Sequence, residues 1–178
     1  YYARVNFTSL ITMVDALGGI DLVPDATFTT TSETTVTFQK GVTKHINGKE
    51  ALAFARERYA LGGGDNTRVK HQQDVLMAML KKMMSPAIIT NYSSVLNSIA
   101  GSFETNMPSN NITDLIQMQV NDMASWTFTQ KQFDGKGVMQ TGGAYMPNNK
   151  LYYMIPDDNS VAENVTAIKA VLNGQTVQ

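Results

Sequence analysis

The chain has 178 residues, 43% of them hydrophobic and only 16% charged, with a net charge of −1 and no cysteine. That length makes a single domain, 1–178, with a sizeable core, and a charge content below the usual ~25% leaves the surface to Thr, Asn, Gln and Ser. The charge balance argues against a nucleic-acid protein, which would carry a basic excess, and the missing cysteines exclude disulfides and thiol-ligated metal.

Residues 1–7 alternate and are rich in aromatics, so they read as a strand, and a chain that opens inside a strand reads as a fragment boundary. Thr8 is placed to cap a helix through Leu17, with Leu10, Ile11, Val14 and Leu17 on one face, and Gly18-Gly19 stops it. A short buried strand over 20–23, closed by Pro24, completes a strand–helix–strand unit and predicts a parallel pair. The threonine-rich stretch 25–35 reads as a surface loop or irregular strand, 35–39 as a strand, and Gly41 as a turn. Asn47 and Glu50 have capping-box spacing, which predicts a helix from Gly48 to about Arg56 with Ala51, Leu52, Phe54 and Ala55 buried. Asp65 reads as the N-cap of a second helix ending near Met84.

Pro86 starts a third helix that runs to Gly101 and turns Ile88, Ile89, Tyr92, Val95, Leu96 and Ile99 inward. The uncharged run 83–103 is long enough to span a membrane, but Pro86 and several Asn, Ser and Thr break it. Residues 103–107 read as extended, 111–124 as a helix, and 126–133 as a half-exposed strand. Gly135, Gly137, Gly142 and Gly143 punctuate a loop around 138–145. A strand over 150–155 is closed by Pro156, and Asp157 or Asp158 caps a last helix with Val161, Val165, Ile168, Val171 and Leu172 inward. Helices alternating with strands predict an α/β fold, a mixed β-sheet sandwiched between helices.

The chemistry concentrates in 47–82. Three of the four arginines, Arg56, Arg58 and Arg68, fall there, around Gly62-Gly63-Gly64-Asp65. Arginine presents a planar fork of donors suited to phosphate and stays charged at any working pH. A helix that begins beyond glycines points its free N–H groups at an anion. Arg56 and Arg58 are two apart, opposite on a helix but on one side of an extended chain, so both can serve one anion only if the helix ends near Arg56. Arg68 and Gln72 share a face at i, i+4, and the stripe continues as Val75, Leu76, Met79 and Met83. A cationic end leading into an apolar stripe suits an amphiphile with a phosphate head. The plainer readings stand beside it: R-E-R as a solvated face, Arg58 paired with Asp65, Asp65 as a cap only, Met79 and Met83 as core. His45 and His71 lack metal-ligand spacing, and His71 reads as an exposed helix histidine rather than a phosphate ligand.

The string ALAFARERYALGGGDNTRVKHQQ resembles the signature of the LytR–CpsA–Psr family of bacterial cell-envelope phosphotransferases. That signature is A-x-x-R-x-R, a short glycine-containing loop, then Asp, Arg three on and Gln four beyond, here Arg56, Arg58, Asp65, Arg68 and Gln72. YYARVNFTSLITMVDALGGIDL, GSFETNM and YYMIPDD are similar to other family segments, so the likeness covers essentially the whole chain. It implies a sheet and helices enclosing an apolar pocket for a polyprenyl chain, lined here by Val75, Leu76 and Met79, with the arginines and Gln72 on a pyrophosphate. It implies transfer of a glycopolymer phosphate from a polyprenyl-pyrophosphate carrier to peptidoglycan, outside the membrane of a Gram-positive bacterium, with Arg56, Arg58, Asp65 and Arg68 as catalytic residues. It further implies an N-terminal half before Tyr1 that carries a membrane anchor, several sheet strands and the aspartates that hold Mg²⁺; Asp15, Asp21 and Asp25 lie in the wrong segment for that role, so no metal ligand is assigned in this sequence. The parent is read as an enzyme, while activity of this segment alone is left open. The alternatives are a non-catalytic polyprenyl-phosphate binding module and a regulatory protein of the transcriptional-attenuator type, which the charge balance disfavours.

Overall fold

The computed structural model describes residues 1–32, 34–61, 64–89, 92–99, 101–122 and 126–177, and of 64, 65, 89, 92, 96 and 99 the backbone alone. The chain is α/β and divides into two compact units, Tyr1–Trp126 and Thr127–Gln178.

In the first unit, strand β1 (Ala3–Val5) leads into helix α1 (Phe7–Ala16). The helix is capped by Asn6, two residues before the expected Thr8: the Asn6 side chain accepts from the Ser9 N–H at 2.8 Å. An amide oxygen this close to the first free N–H groups outcompetes a β-branched hydroxyl two residues later. Gly18 and Gly19 end the helix at φ +74° and +87°, left-handed values that glycine alone adopts readily. The chain continues as β2 (Ile20–Leu22), β3 (Phe28–Thr29), β4 (Thr37–Phe38) and β5 (Lys44–Ile46). The strands flanking α1 do not form the expected parallel pair. Strand β2 pairs antiparallel with β5, with Ile20 opposite Ile46, and β3 pairs antiparallel with β4. Strand β1 pairs antiparallel with β6 (Phe103–Thr105), about a hundred residues on, with Val5 opposite Phe103. The antiparallel register sets buried Ile20 opposite buried Ile46, so both strands turn their apolar residues to the core.

Helix α2 (Gly48–Arg56) carries the capping box in full. Asn47 accepts from the Glu50 N–H at 3.1 Å, and the Glu50 carboxylate accepts from the Asn47 N–H at 3.0 Å. The amide of Gly48 donates to Asp15 at 2.7 Å, tying α2 to the end of α1. Helix α3 (Gly64–Met83) crosses α2, and α4 (Pro86–Ile89), α5 (Tyr92–Ile99) and α6 (Ser109–Asp122) follow. Ile88 and Val95 pack against the core as expected, whereas no residue of α6 is buried. No helix of the described residues is long and apolar enough to cross a membrane.

The core gathers Val14 and Leu17 from α1, the inward residues of β2 to β5, Phe54 from α2, and Val75 and Met79 from α3. Its centre is aromatic. Phe38 meets Phe54 edge-on at 4.8 Å, Phe28 stacks on Phe38 at 5.3 Å, and the His71 ring lies 4.3 Å from Phe54 and 5.2 Å from Phe28.

The second unit is a hairpin, β7 (Gly135–Gln140) with β8 (Leu151–Pro156), followed by α7 (Asp158–Leu172). Part of the expected 138–145 loop is therefore strand. Glycines punctuate it because a Cβ on Gly137 would meet the Tyr152 ring at 2.7 Å, so they admit a large cross-strand neighbour. The expected strand over 126–133 has no ladder. Instead Asn164 donates to the Gln132 carbonyl at 3.1 Å and the Asp134 N–H donates to the Ser160 hydroxyl at 2.9 Å. Asp157 is the cap, accepting from the Ser160 N–H at 2.9 Å. The buried side of α7 is thus Ser160 and Asn164, and the apolar set expected inward is largely exposed, Ile168 at 58% and Leu172 at 79%.

Candidate functional site

Helix α2 ends at Arg56 because of the next residue. Glu57 is extended (φ −59°, ψ 129°) and only 2% exposed. One carboxylate oxygen accepts from the N–H groups of Arg58 at 2.9 Å, Tyr59 at 2.8 Å and Ala60 at 3.0 Å. The other accepts from the Thr31 N–H at 2.6 Å and from the Thr31 hydroxyl at 3.1 Å. Burial by itself raises the acid's pKa, but the N–H groups of Thr31, Ala60, Tyr59 and Arg58 together outweigh it and bring the value down to about 2. Glu57 therefore faces inward as a permanent anion, and Arg56 and Arg58 on either side of it are both exposed. The helix stops where a shared anion requires it to stop.

Arg56 lies over the Phe7 ring, with the guanidinium carbon 4.7 Å from its centroid, a cation–π contact that limits its freedom. It stands at a cavity of about 370 Å³ between α1, α2 and α3. Gln72 joins it there, and Leu10, Val75, Leu76 and Met79 give apolar lining. The cavity is thus built on the predicted α3 stripe. Val75 and Met79 also belong to the core, at 2% and 4% exposure, while Leu76 stays 55% exposed on the open side. One guanidinium and two amides, Gln72 and Asn6, at an otherwise apolar hollow match the two ends of an amphiphilic anion.

Arg68 lies one turn before Gln72 and is half-buried, and neither it nor Arg58 lines this cavity. Helix α3 begins at Gly64, so Asp65 sits inside the first turn rather than at the cap. Gly62, Gly63 and the Asp65 side chain fall outside the described residues.

His71 differs from expectation. It is fully buried, between Phe28 and Phe54, and neither ring nitrogen has a hydrogen-bond partner. Burial lowers its pKa from the ordinary 6.5, against smaller upward pulls from Asp74, Asp25 and the Phe54 backbone. Helix α3 turns this edge toward the core, where ring contacts with Phe28 and Phe54 offset part of the cost of the two unbonded nitrogens. Asp25 and Asp74 meet Lys70 at 2.9 and 3.2 Å, pinning the loop after β2 to α3.

Among the described residues no group of three or more His, Asp or Glu is placed to hold a metal. Asp21 is held by His45 at 2.7 Å, Asp25 by Lys70, and Asp15 by the Gly48 amide. These carboxylates do not fit a Mg²⁺ site.

Sequence reading missed Glu57. A signal was available: an acid directly after a helix opposes the helix dipole, so its presence there implies dedicated donors.

The LytR_cpsA_psr family model matches residues 1–170. The chain belongs to the LytR_cpsA_psr family. A relative from Bacillus mycoides, named polyisoprenyl-teichoic acid–peptidoglycan teichoic acid transferase TagU, is 31% identical over 157 residues, covering 88% of this chain and 48% of its own length. Biofilm regulatory protein A of Streptococcus mutans is 30% identical over 149 residues, covering 81% of this chain and 36% of its own. The crystal structure of Bacillus subtilis TagV superposes with a TM-score of 0.74 at 27% identity, over 99% of this chain and 65% of that one. The chain spans about half or less of the length of these two curated relatives.

Proposed function

We propose that this LytR_cpsA_psr chain takes part in moving a glycopolymer phosphate from a polyprenyl-pyrophosphate carrier to peptidoglycan during bacterial wall assembly. The observation that carries the reading is the cavity in which Arg56 and Gln72 meet the apolar stripe of Val75, Leu76 and Met79. The name of the TagU relative supports the same class of reaction. A pyrophosphate head would take Arg56, with Arg58, Arg68 and Gln72 around it, and the first isoprene units would lie along α3. An acceptor hydroxyl attacks the sugar-bearing phosphorus and gives up its proton, and the bond to the lipid phosphate breaks. Charge builds on the transferring phosphoryl and on the departing polyprenyl phosphate, which fixed guanidinium donors stabilise best. Asp65 orients an arginine or takes the proton. The reading places the reaction on the outer face of a Gram-positive membrane, with the parent anchored there. Mg²⁺ would need ligands other than the carboxylates of Asp15, Asp21 and Asp25, which are held by Gly48, His45 and Lys70.

A second reading is a polyprenyl-phosphate binding module without turnover, which the same cavity would also serve. The name of the Streptococcus relative points to a regulatory role for that protein. One titration separates these. Polyprenyl pyrophosphate is added with and without Mg²⁺, and binding and phosphate release are followed. Mg²⁺-dependent release supports the transferase, binding without it supports the module, and no binding overturns both. Arg56→Ala is expected to lower transfer by about 10²-fold or more. Arg56→Lys does not restore it, because a point charge cannot make the paired bonds.

A further inference from the structure

On helix α2, Lys49, Leu52, Ala53 and Arg56 recur at i, i+3, i+4 and i+7, so they form one stripe with a cation at each end, two turns apart. This stripe floors a second cavity of about 250 Å³, roofed by Ser32 and Thr34 from the loop after β3 and edged by Ile11 of α1. It shares only Leu52 and Arg56 with the larger cavity. The two hollows therefore adjoin at α2, and their linings differ in kind: the first is nearly all apolar, the second combines cations, hydroxyls and a small apolar floor.

Two details point to a ligand. The hydroxyl oxygen of Ser32 is buried and has no hydrogen-bond partner, a state that costs free energy unless something else supplies the bond. Lys49 is exposed at the rim and makes no ion pair among the described residues. We propose that this second cavity binds a sugar phosphate. Lys49 takes the phosphate, Ser32 and Thr34 bond ring hydroxyls, and Ala53 with Ile11 meets the apolar face of the ring. The volume lies below the usual range for drug-sized ligands, ~300–1,000 Å³, which limits the occupant to about one sugar unit. A bare anion could accept from the Ser32 hydroxyl but would leave the apolar floor of Ile11, Leu52 and Ala53 without a role. A neutral glycan would leave Lys49 without one.

The inference stands apart from the lipid reading, since a water-soluble probe tests it with no lipid present. Glucose 1-phosphate is titrated into the chain while backbone amide resonances are followed, with methyl glucoside and inorganic phosphate as controls. The proposal expects saturable shifts at Thr34, Lys49 and Ala53, tighter for glucose 1-phosphate than for either control. Lys49→Ala is expected to weaken that binding about tenfold or more, while polyprenyl pyrophosphate binding stays unchanged. It is overturned by an absence of saturable binding, by equal affinity for either control, by unchanged affinity in Lys49→Ala, or by shifts confined to Val75 and Met79 on the other cavity.

Discussion

Glu57 and His71 are buried one helix apart and respond to acid for opposite reasons. The Glu57 carboxylate is held near pKa 2, against an ordinary 4.5, because four backbone N–H groups outweigh its burial. The unfolded chain therefore takes up a proton first as pH falls. The stabilisation, about 3 kcal/mol for such a shift, is complete above 4.5 and lost progressively as pH drops toward 2. Glu57→Gln keeps the shape but loses the charge-assisted bonds, so it is expected to cost about 2 kcal/mol at neutral pH and to flatten urea-unfolding stability across that window. His71 is held below its ordinary 6.5 by desolvation and folds as the neutral ring. Its contribution begins to fall as pH drops below 6.5, well before Glu57 acts. His71→Phe places a ring of similar shape between Phe28 and Phe54 and removes two unsatisfied nitrogens. Stability at pH 7 should stay within about 1.5 kcal/mol, and the early acid slope should vanish. Persistence of that slope would assign it to another group.

The element most dependent on close approach is the start of α2. A Cβ on Gly48 would overlap the Ile11 carbonyl and stand 2.7 Å from the Ile11 Cα, so backbone rather than a flexible side chain would have to move. Helix propensity favours alanine over glycine by at most about 1 kcal/mol. Overpacking at a rigid contact costs about 1–3 kcal/mol. Gly48→Ala should therefore destabilise, by about 1–2 kcal/mol, visible as a lower urea midpoint with an unchanged slope; a raised midpoint would mean that α1 yields easily. The start of α2 was legible in the sequence because a capping box is local. The pairing of β1 with β6 was not, since no residue near β1 encodes a partner a hundred positions away. The α7 face was misread for a related reason: its apolar spacing is helical, but the side that meets 132–134 is chosen by hydrogen bonds of Ser160 and Asn164.

Across the whole molecule, burial is uneven. All the clustered core residues lie in Tyr1–Trp126, and in Thr127–Gln178 the buried side chains among the described residues are Ser160 and Asn164. The candidate site inherits that division, for Arg56, Gln72, Val75, Leu76 and Met79 all sit on helices rooted in the core. Gln72, Val75, Leu76 and Met79 were legible because α3 carries a regular stripe, while Glu57, which sets where α2 stops, depends on Thr31 from a distant loop and left only a weak trace. Local stability follows buried apolar contact more than hydrogen-bond number. The β7–β8 hairpin has a full ladder but little apolar cover, and α7 leaves Ile168, Val171 and Leu172 exposed. Native-state hydrogen exchange is expected to show the slowest amides in β2, β5, α2 and the middle of α3. Amides of β7, β8 and α7 should exchange through openings of lower free energy. Equal protection in the two units would show that the hairpin unit draws stability from something other than its own buried surface.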